Sequence, residues 1–158
     1  MTADSTRAAT RTVRVIRATP EELYRAFLDP EALVAWLPPA GMSGRIHAFD
    51  ARPGGGYEMS LFYPADERHF RGKTAEREDR VAVRFLELTP PGRIVEAVRF
   101  VSDDPAYGGT MTLTVTLEPV ADGTAVTLAF DDLPPGVRPE DNDAGARASL
   151  EQLARRFE

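Results

Sequence analysis

The sequence of 158 residues contains no cysteine, only two histidines and a single tryptophan. Without cysteine there is no disulfide framework, no thiolate nucleophile and no zinc site built on sulfur. The histidines do not form a spacing such as HExxH, and no serine lies in a nucleophile elbow. From these absences we expect the protein to use no metal and no cofactor. They also argue against hydrolytic chemistry.

Long apolar runs and a basic surface are also missing. The first ten residues lack the apolar run of about 7 to 15 residues that a secretory signal needs, and no later stretch approaches the roughly 20 apolar residues of a membrane span. The net charge is −6, and the 19 basic residues are interspersed with 25 acidic ones. Because phosphate binding needs concentrated positive charge, we expect no nucleic-acid partner. Because a secretory signal and a membrane span are missing, we expect a cytoplasmic protein with no membrane insertion.

Length and composition are those of one globular domain. An apolar share of 42% and a charged share of 28% are ordinary, whereas 13 prolines and 12 glycines indicate many turns between short elements. Residues 1–10 are small and polar and are predicted to be a flexible tail. Residues 11–158 contain no repeat or linker and are predicted to form a single domain.

Two short helices are predicted after a first strand at 12–17. The segment 19–22 (TPEE) supplies a hydroxyl cap, a proline in the first turn and a glutamate three residues after the cap. The segment 29–31 (DPE) repeats the cap and proline, and the prolines at 38–39 end the second helix. Because strands resume afterwards, the helices form an insertion and a parallel sheet is disfavoured.

Six further strands are predicted as three hairpins with tight turns at 53–56, 89–92 and 121–123. The paired segments are 45–52 with 57–63, 81–88 with 93–100, and 110–118 with 124–130. In the third pair, apolar residues alternate with threonines, which predicts a sheet covered on one face. The charged stretch 64–80 has no clear period and is predicted to be a long loop or a ragged edge strand over the mouth of the sheet.

The cover for that face is predicted at the end of the chain. From Pro139 onward, Ala146, Leu150, Leu153 and Phe157 recur at helical spacing. A helix of about 18 residues is about 27 Å long, enough to cross a sheet. The sequence therefore predicts an α+β helix-grip fold, in which a curved antiparallel sheet of six to seven strands wraps the long C-terminal helix around an apolar, ligand-sized cavity.

Glu96 is the first candidate for a ligand contact. It belongs to the same alternating set as Ile94, Val98 and Phe100, which is predicted to face inward. A carboxylate on that face is costly unless it has a partner. Two alternatives stay open, namely a bulge that turns Glu96 outward and an ion pair with an arginine.

Other candidates come from the first hairpin and the helices. His47 alternates with Phe49 and is predicted to face inward, although a slip of one residue would reverse its face. The hydroxyls of Tyr57 and Tyr63 would orient a ligand on an apolar wall. A core or solvent-facing role is the alternative for each, and for Trp36 the alternative is an anchor of its helix. The predicted ligand-binding residues are His47, Tyr57, Met59, Tyr63, Glu96, Val98, Trp36, Ala146 and Leu150.

Five short sequence motifs, in this order, resemble those of one protein superfamily. They are ATPEELYRAF (18–27), WLPP (36–39), FDARPGGGY (49–57), ELTPP (87–91) and ASLEQLA (148–154). The superfamily is the START-like or birch-pollen-allergen-like one, also labelled SRPBCC, and the motifs look like its branch named for the activator of the heat-shock-protein-90 ATPase. The resemblance covers about residues 11–158 and implies a helix-grip fold with a hydrophobic cavity. Where the family often has Gly-Trp in the long helix, this sequence has Gly145-Ala146, which implies a larger pocket.

Three functions follow as hypotheses, because the superfamily includes carriers, receptors, cyclases and chaperone partners. The first is a binding protein for an apolar or amphipathic small molecule, with Glu96, His47 and Tyr63 at its polar end. The second is a polyketide cyclase-like or aromatase-like enzyme with Glu96 or His47 as general base. The third is docking on a chaperone through a sheet edge or the charged loop. The small catalytic inventory favours binding, and the sheet edges leave a homodimer open.

Overall fold

The computed structural model describes residues 7–39, 41–63 and 78–158. The elements are β1 (Thr10–Ile16), α1 (Pro20–Phe27), α2 (Pro30–Trp36), β2 (Ser43–Asp50), β3 (Gly56–Phe62), β4 (Glu78–Thr89), β5 (Arg93–Phe100), β6 (Met111–Val120), β7 (Gly123–Asp131) and α3 (Pro139–Arg155). Of the predicted loop at 64–80, residues 78–80 belong to β4 and the rest lies outside the described residues. The predicted tail is described only from Arg7 onward.

The seven strands form one antiparallel sheet in the order β1-β7-β6-β5-β4-β3-β2. The three predicted hairpins are present as the neighbouring pairs β2–β3, β4–β5 and β6–β7. Helix α3 packs against β1 and α2. This arrangement confirms the predicted helix-grip fold, with two short helices between the first and second strands. None of the helices in the described part of the chain has the length and apolarity needed to cross a lipid bilayer.

The two short helices begin at the predicted caps. The Glu22 amide donates to the Thr19 hydroxyl at 3.1 Å, and the Thr19 amide donates to the Glu22 carboxylate at 2.9 Å. These two bonds complete a capping box. The Glu31 amide donates to Asp29 at 3.0 Å and starts α2 in the same manner. The insertion is thus specified by local sequence.

One face of the sheet, here called the inner face, is buried and carries the core. On β5 the even-numbered residues from Ile94 to Phe100 are all buried, as the alternation predicts. Ala146 and Leu150 of α3 are buried in the same core. The opposite face, here called the outer face, carries the alternate residues, including the threonines of β6.

Side-chain hydrogen bonds fasten the start of α3 to β1. The buried Thr12 hydroxyl donates to Asp143 at 2.5 Å, and the Asn142 amide group donates to the Thr10 hydroxyl at 2.8 Å. The hydrogen bond from Thr12, followed by that from Arg147, lowers the pKa of Asp143. The sheet edge and the helix are therefore joined by polar contacts as well as by the core.

We expect Thr12→Val to lower the free energy of unfolding by about 1 kcal/mol, because it removes the hydroxyl donor while preserving the side-chain shape. Urea denaturation at pH 7 measures the change. Thr112→Val on the outer face is the matched control, since the Thr112 hydroxyl makes no hydrogen bond to a described residue. The control should change stability by less than about 0.5 kcal/mol, and equal losses in both variants would contradict the role of the Thr12 hydrogen bond.

Candidate functional site

Glu96 lies on the inner face in the middle of β5. Its cross-strand neighbours are Phe85 on β4 and Leu113 on β6, and its side chain is only 4% exposed. No hydrogen bond or ion pair joins its carboxyl group to any residue within 7–39, 41–63 or 78–158. Burial raises the pKa of Glu96 to about 7. The prediction of an inward Glu96 is confirmed, and the alternative of a bulge that turns it outward is wrong.

Three aromatic rings lie beside Glu96 on the inner face. Phe49 stacks on Tyr57 with ring centroids 5.2 Å apart, and Phe85 contacts both rings at 6.0 and 5.9 Å. Burial, and secondarily the negative charge of Glu96, raises the pKa of Tyr57 well above its usual value of 10. The Tyr57 hydroxyl and the Glu96 carboxyl group therefore interact electrostatically. We call Glu96, Tyr57, Phe49, Phe85 and Leu113 the Glu96 cluster.

A β-bulge in β2 decides which side chains of that strand face inward. The register shifts between His47 and Phe49, and the intervening Ala48 has a φ of 49°. His47 pairs with Glu58 whereas Phe49 pairs with Tyr57, and these two partners are adjacent residues that point to opposite faces. The prediction that His47 faces inward with Phe49 is therefore wrong. The extra residue reverses the alternation, so that Phe49 faces inward and His47 outward.

On the outer face, His47 has a partner of its own. Its Nε2 atom lies 3.0 Å from the Ser60 hydroxyl, and Ser60 is only 1% exposed. Glu58 and Arg80 form a 3.0 Å ion pair on the same face. The sheet itself separates His47 from Glu96, so the two side chains do not meet at one ligand.

The other predicted strand residues lie on the inner face at different distances along it. Val98 is buried two residues beyond Glu96, and Met59 is 1% exposed. Tyr63 follows the end of β3 and donates its hydroxyl to the buried Asp79 at 2.7 Å. Tyr57, at the opposite end of β3, is therefore the tyrosine that belongs with Glu96.

Trp36 is an anchor of α2. Its side chain is fully buried, its indole N–H donates to the Ala26 carbonyl at 3.1 Å, and its ring meets Phe27 edge-on at 4.8 Å. Gln152 of α3 donates to the Trp36 carbonyl at 2.8 Å. These contacts correspond to the anchor interpretation and hold α2 against α1 and α3.

Part of the inner face beside Glu96 is open to solvent. Leu113 and Phe130 pair across β6 and β7 on this face, yet each is only partly buried. Along α3, a Cβ atom added at Gly145 would contact only Pro39, at 3.9 Å. Leu113 and Phe130 are thus partly accessible side chains on the face that carries Glu96.

Sequence reasoning missed Phe85 and Leu113 as members of the site. Leu113 follows only from the register that sets β6 against β5. Phe85 had a signal in the sequence, because Phe85, Leu86 and Leu88 break the alternation of β4. A bulge at this point leaves Leu86 half exposed and keeps Phe85 and Leu88 on one face.

The comparisons with known proteins agree with this fold. The family model described as activator of Hsp90 ATPase homolog 1-like protein matches residues 17–158. A protein from Chromobacterium violaceum of known crystal structure is 37% identical, with a TM-score of 0.83 over 94% of this chain and 96% of that one. No curated protein shows significant similarity.

Two more distant crystal structures share the fold. The one from Rhodobacter sphaeroides is 24% identical, with a TM-score of 0.75 over 97% of this chain and 92% of that one. The one from Silicibacter pomeroyi is 20% identical, with a TM-score of 0.75 over 94% and 96%. The family model covers most of the chain and includes every residue of the Glu96 cluster. The chain therefore belongs to the family of activator of Hsp90 ATPase homolog 1-like proteins.

Proposed function

We propose that the protein binds an apolar or amphipathic small molecule on the inner face, between the sheet and α3, with Glu96 as the polar contact. The observation that carries this proposal is the buried Glu96 carboxyl group, which has no partner among the described residues. Such a group costs free energy in the empty protein and is commonly found where a ligand satisfies it. Partial exposure of Leu113 and Phe130 gives a ligand access to the same face.

Membership of this family supports a ligand-binding fold but leaves the ligand open. The enzyme hypothesis has less support, because a base assisted by histidine would need His47 and Glu96 within reach of one substrate. His47 lies on the outer face and bonds to Ser60. A chaperone partner, a homodimer and a cytoplasmic location stay predictions.

A binding screen tests the proposal. The panel contains aromatic and aliphatic compounds that each carry one amine, hydroxyl, amide or carboxylate, and binding is followed by thermal shift and then by isothermal titration. We expect at least one compound to raise the melting temperature. Glu96→Gln should weaken the binding of a compound whose charged group pairs with the Glu96 carboxylate about ten-fold, as expected for the loss of one charged hydrogen-bond partner.

His47→Ala is the control variant for this screen. Because His47 lies on the outer face, its removal should change the affinity by less than about two-fold. The proposal fails if no compound binds. It also fails if Glu96→Gln binds as tightly as the wild type while His47→Ala loses binding.

A further inference from the structure

No positively charged side chain among the described residues pairs with the Glu96 carboxylate. On the neighbouring strands, its partners Phe85 and Leu113 do not ionise. Tyr57 is the described ionisable side chain on which Glu96 acts, and it carries no positive charge. No lysine, arginine or histidine within the described ranges forms an ion pair with Glu96. The inner face therefore lacks the counter-charge that a buried carboxylate requires.

The aromatic rings of the Glu96 cluster also favour a positively charged ligand. Phe49, Tyr57 and Phe85 lie within 6.0 Å of one another, measured between ring centroids. Aromatic ring faces carry negative partial charge and attract cations. An anionic ligand such as a fatty acid would instead bring a second negative group next to Glu96 in a region of low dielectric constant.

We propose that the ligand is an organic cation, an amine on an apolar or aromatic skeleton, whose N–H donates to Glu96 and whose skeleton lies on the Glu96 cluster. This inference rests on the proposed binding function and specifies its ligand class. The ammonium group supplies both the missing hydrogen-bond donor and the missing counter-charge. The partly exposed Leu113 and Phe130 provide the apolar surface for the skeleton.

The affinity for an amine depends on pH, because the amine binds Glu96 in its ionised form. An amine binds the ionised form of Glu96, whose pKa in the folded protein is about 7, so binding releases a proton below that pH. Tyr57 stays protonated in this range. On α3, Asp143 is bonded to Thr12 and Arg147, and the other charged side chains are exposed. The affinity for the amine should therefore rise about ten-fold from pH 6 to pH 8.

Three compounds with one skeleton test the inference, namely 4-phenylbutylamine, 4-phenylbutan-1-ol and 4-phenylbutanoate. Isothermal titration at pH 8 and 0.15 M NaCl should give an affinity for the amine about ten-fold above that for the alcohol, with the carboxylate weakest. Glu96→Gln should weaken the amine about ten-fold and change the alcohol by less than about two-fold. Glu118→Gln, which removes an exposed charge at the end of β6, should change neither and controls for the net charge of −6.

The outcomes separate this inference from the binding function. The inference is overturned if the amine does not bind, or if the alcohol or the carboxylate binds as tightly as the amine. An amine preference that Glu118→Gln removes and Glu96→Gln retains overturns it as well. The binding function itself falls if every compound of the broad panel, amines included, fails to bind, or if His47→Ala rather than Glu96→Gln loses binding.

Discussion

Glu96→Gln is expected to raise the free energy of unfolding by about 3 kcal/mol at pH 8 and to leave it nearly unchanged at pH 4. Burial raises the pKa of Glu96 from 4.5 to about 7, so the folded protein holds a proton that the unfolded chain releases between these values. The wild type therefore loses stability as the pH rises from 4.5 to 7. Glutamine does not ionise, and the variant avoids that loss.

Urea denaturation of both proteins at several pH values measures this difference. Glu118→Gln is the matched control, because Glu118 is exposed at the end of β6. The control should differ from the wild type by less than about 0.5 kcal/mol at every pH. If Glu96→Gln shows the same pH dependence as the wild type, Glu96 is ionised without cost in the folded protein and the description of a buried, partnerless carboxyl group is incorrect.

Trp36→Ala is expected to lower the free energy of unfolding by about 3 to 5 kcal/mol. The substitution leaves a cavity where a fully buried ring contacts Phe27, and it removes the hydrogen bond to the Ala26 carbonyl. The Trp36 ring joins α2 to α1, and Gln152 of α3 donates to the Trp36 and Pro38 carbonyls at the end of α2.

Two further variants calibrate the measurement in urea at pH 7. Trp36→Phe keeps an aromatic ring but loses the indole donor, so its loss should be smaller than that of Trp36→Ala. Leu86→Ala removes an apolar side chain that is 50% exposed and should cost less than about 1 kcal/mol. A loss below about 1 kcal/mol for Trp36→Ala would show that the ring does not anchor the helices.

The elements of the fold were predictable because their signals are local. The caps at Thr19 and Asp29 need only three or four consecutive residues, and the hairpin turns are written in short runs of glycine and proline. The alternation of β6 places its threonines on the outer face without reference to any other strand. Element types and order therefore follow from the sequence, whereas for Glu96 the alternation favoured the inward face and left an outward bulge open.

The details of the site were less predictable because they depend on contacts between strands. The bulge at Ala48 inserts a residue into β2, and one residue is enough to exchange the faces of His47 and Phe49. The isolation of Glu96 is likewise a property of three strands in register, since Phe85 and Leu113 occupy the positions where a partner could stand. The alternation within one strand therefore predicts neither the face of His47 nor the isolation of Glu96.

The resemblance of the sequence motifs agreed with the family, but the family leaves the ligand open. The specific hypothesis comes from the residues themselves. A buried carboxyl group, three adjacent rings and a partly exposed apolar wall define the chemistry of a ligand more closely than the fold does. His47 and Tyr63 are no longer proposed as contacts to the polar end of that ligand, because each has a side-chain partner elsewhere.

A crystal structure with the tightest-binding compound of the panel is the most direct test of the account. We expect the compound on the inner face between the sheet and α3, with a polar atom about 3 Å from the Glu96 carboxyl group and its apolar part against Leu113 and Phe85. A compound bound on the outer face, or one on the inner face without contact to Glu96, would contradict the account.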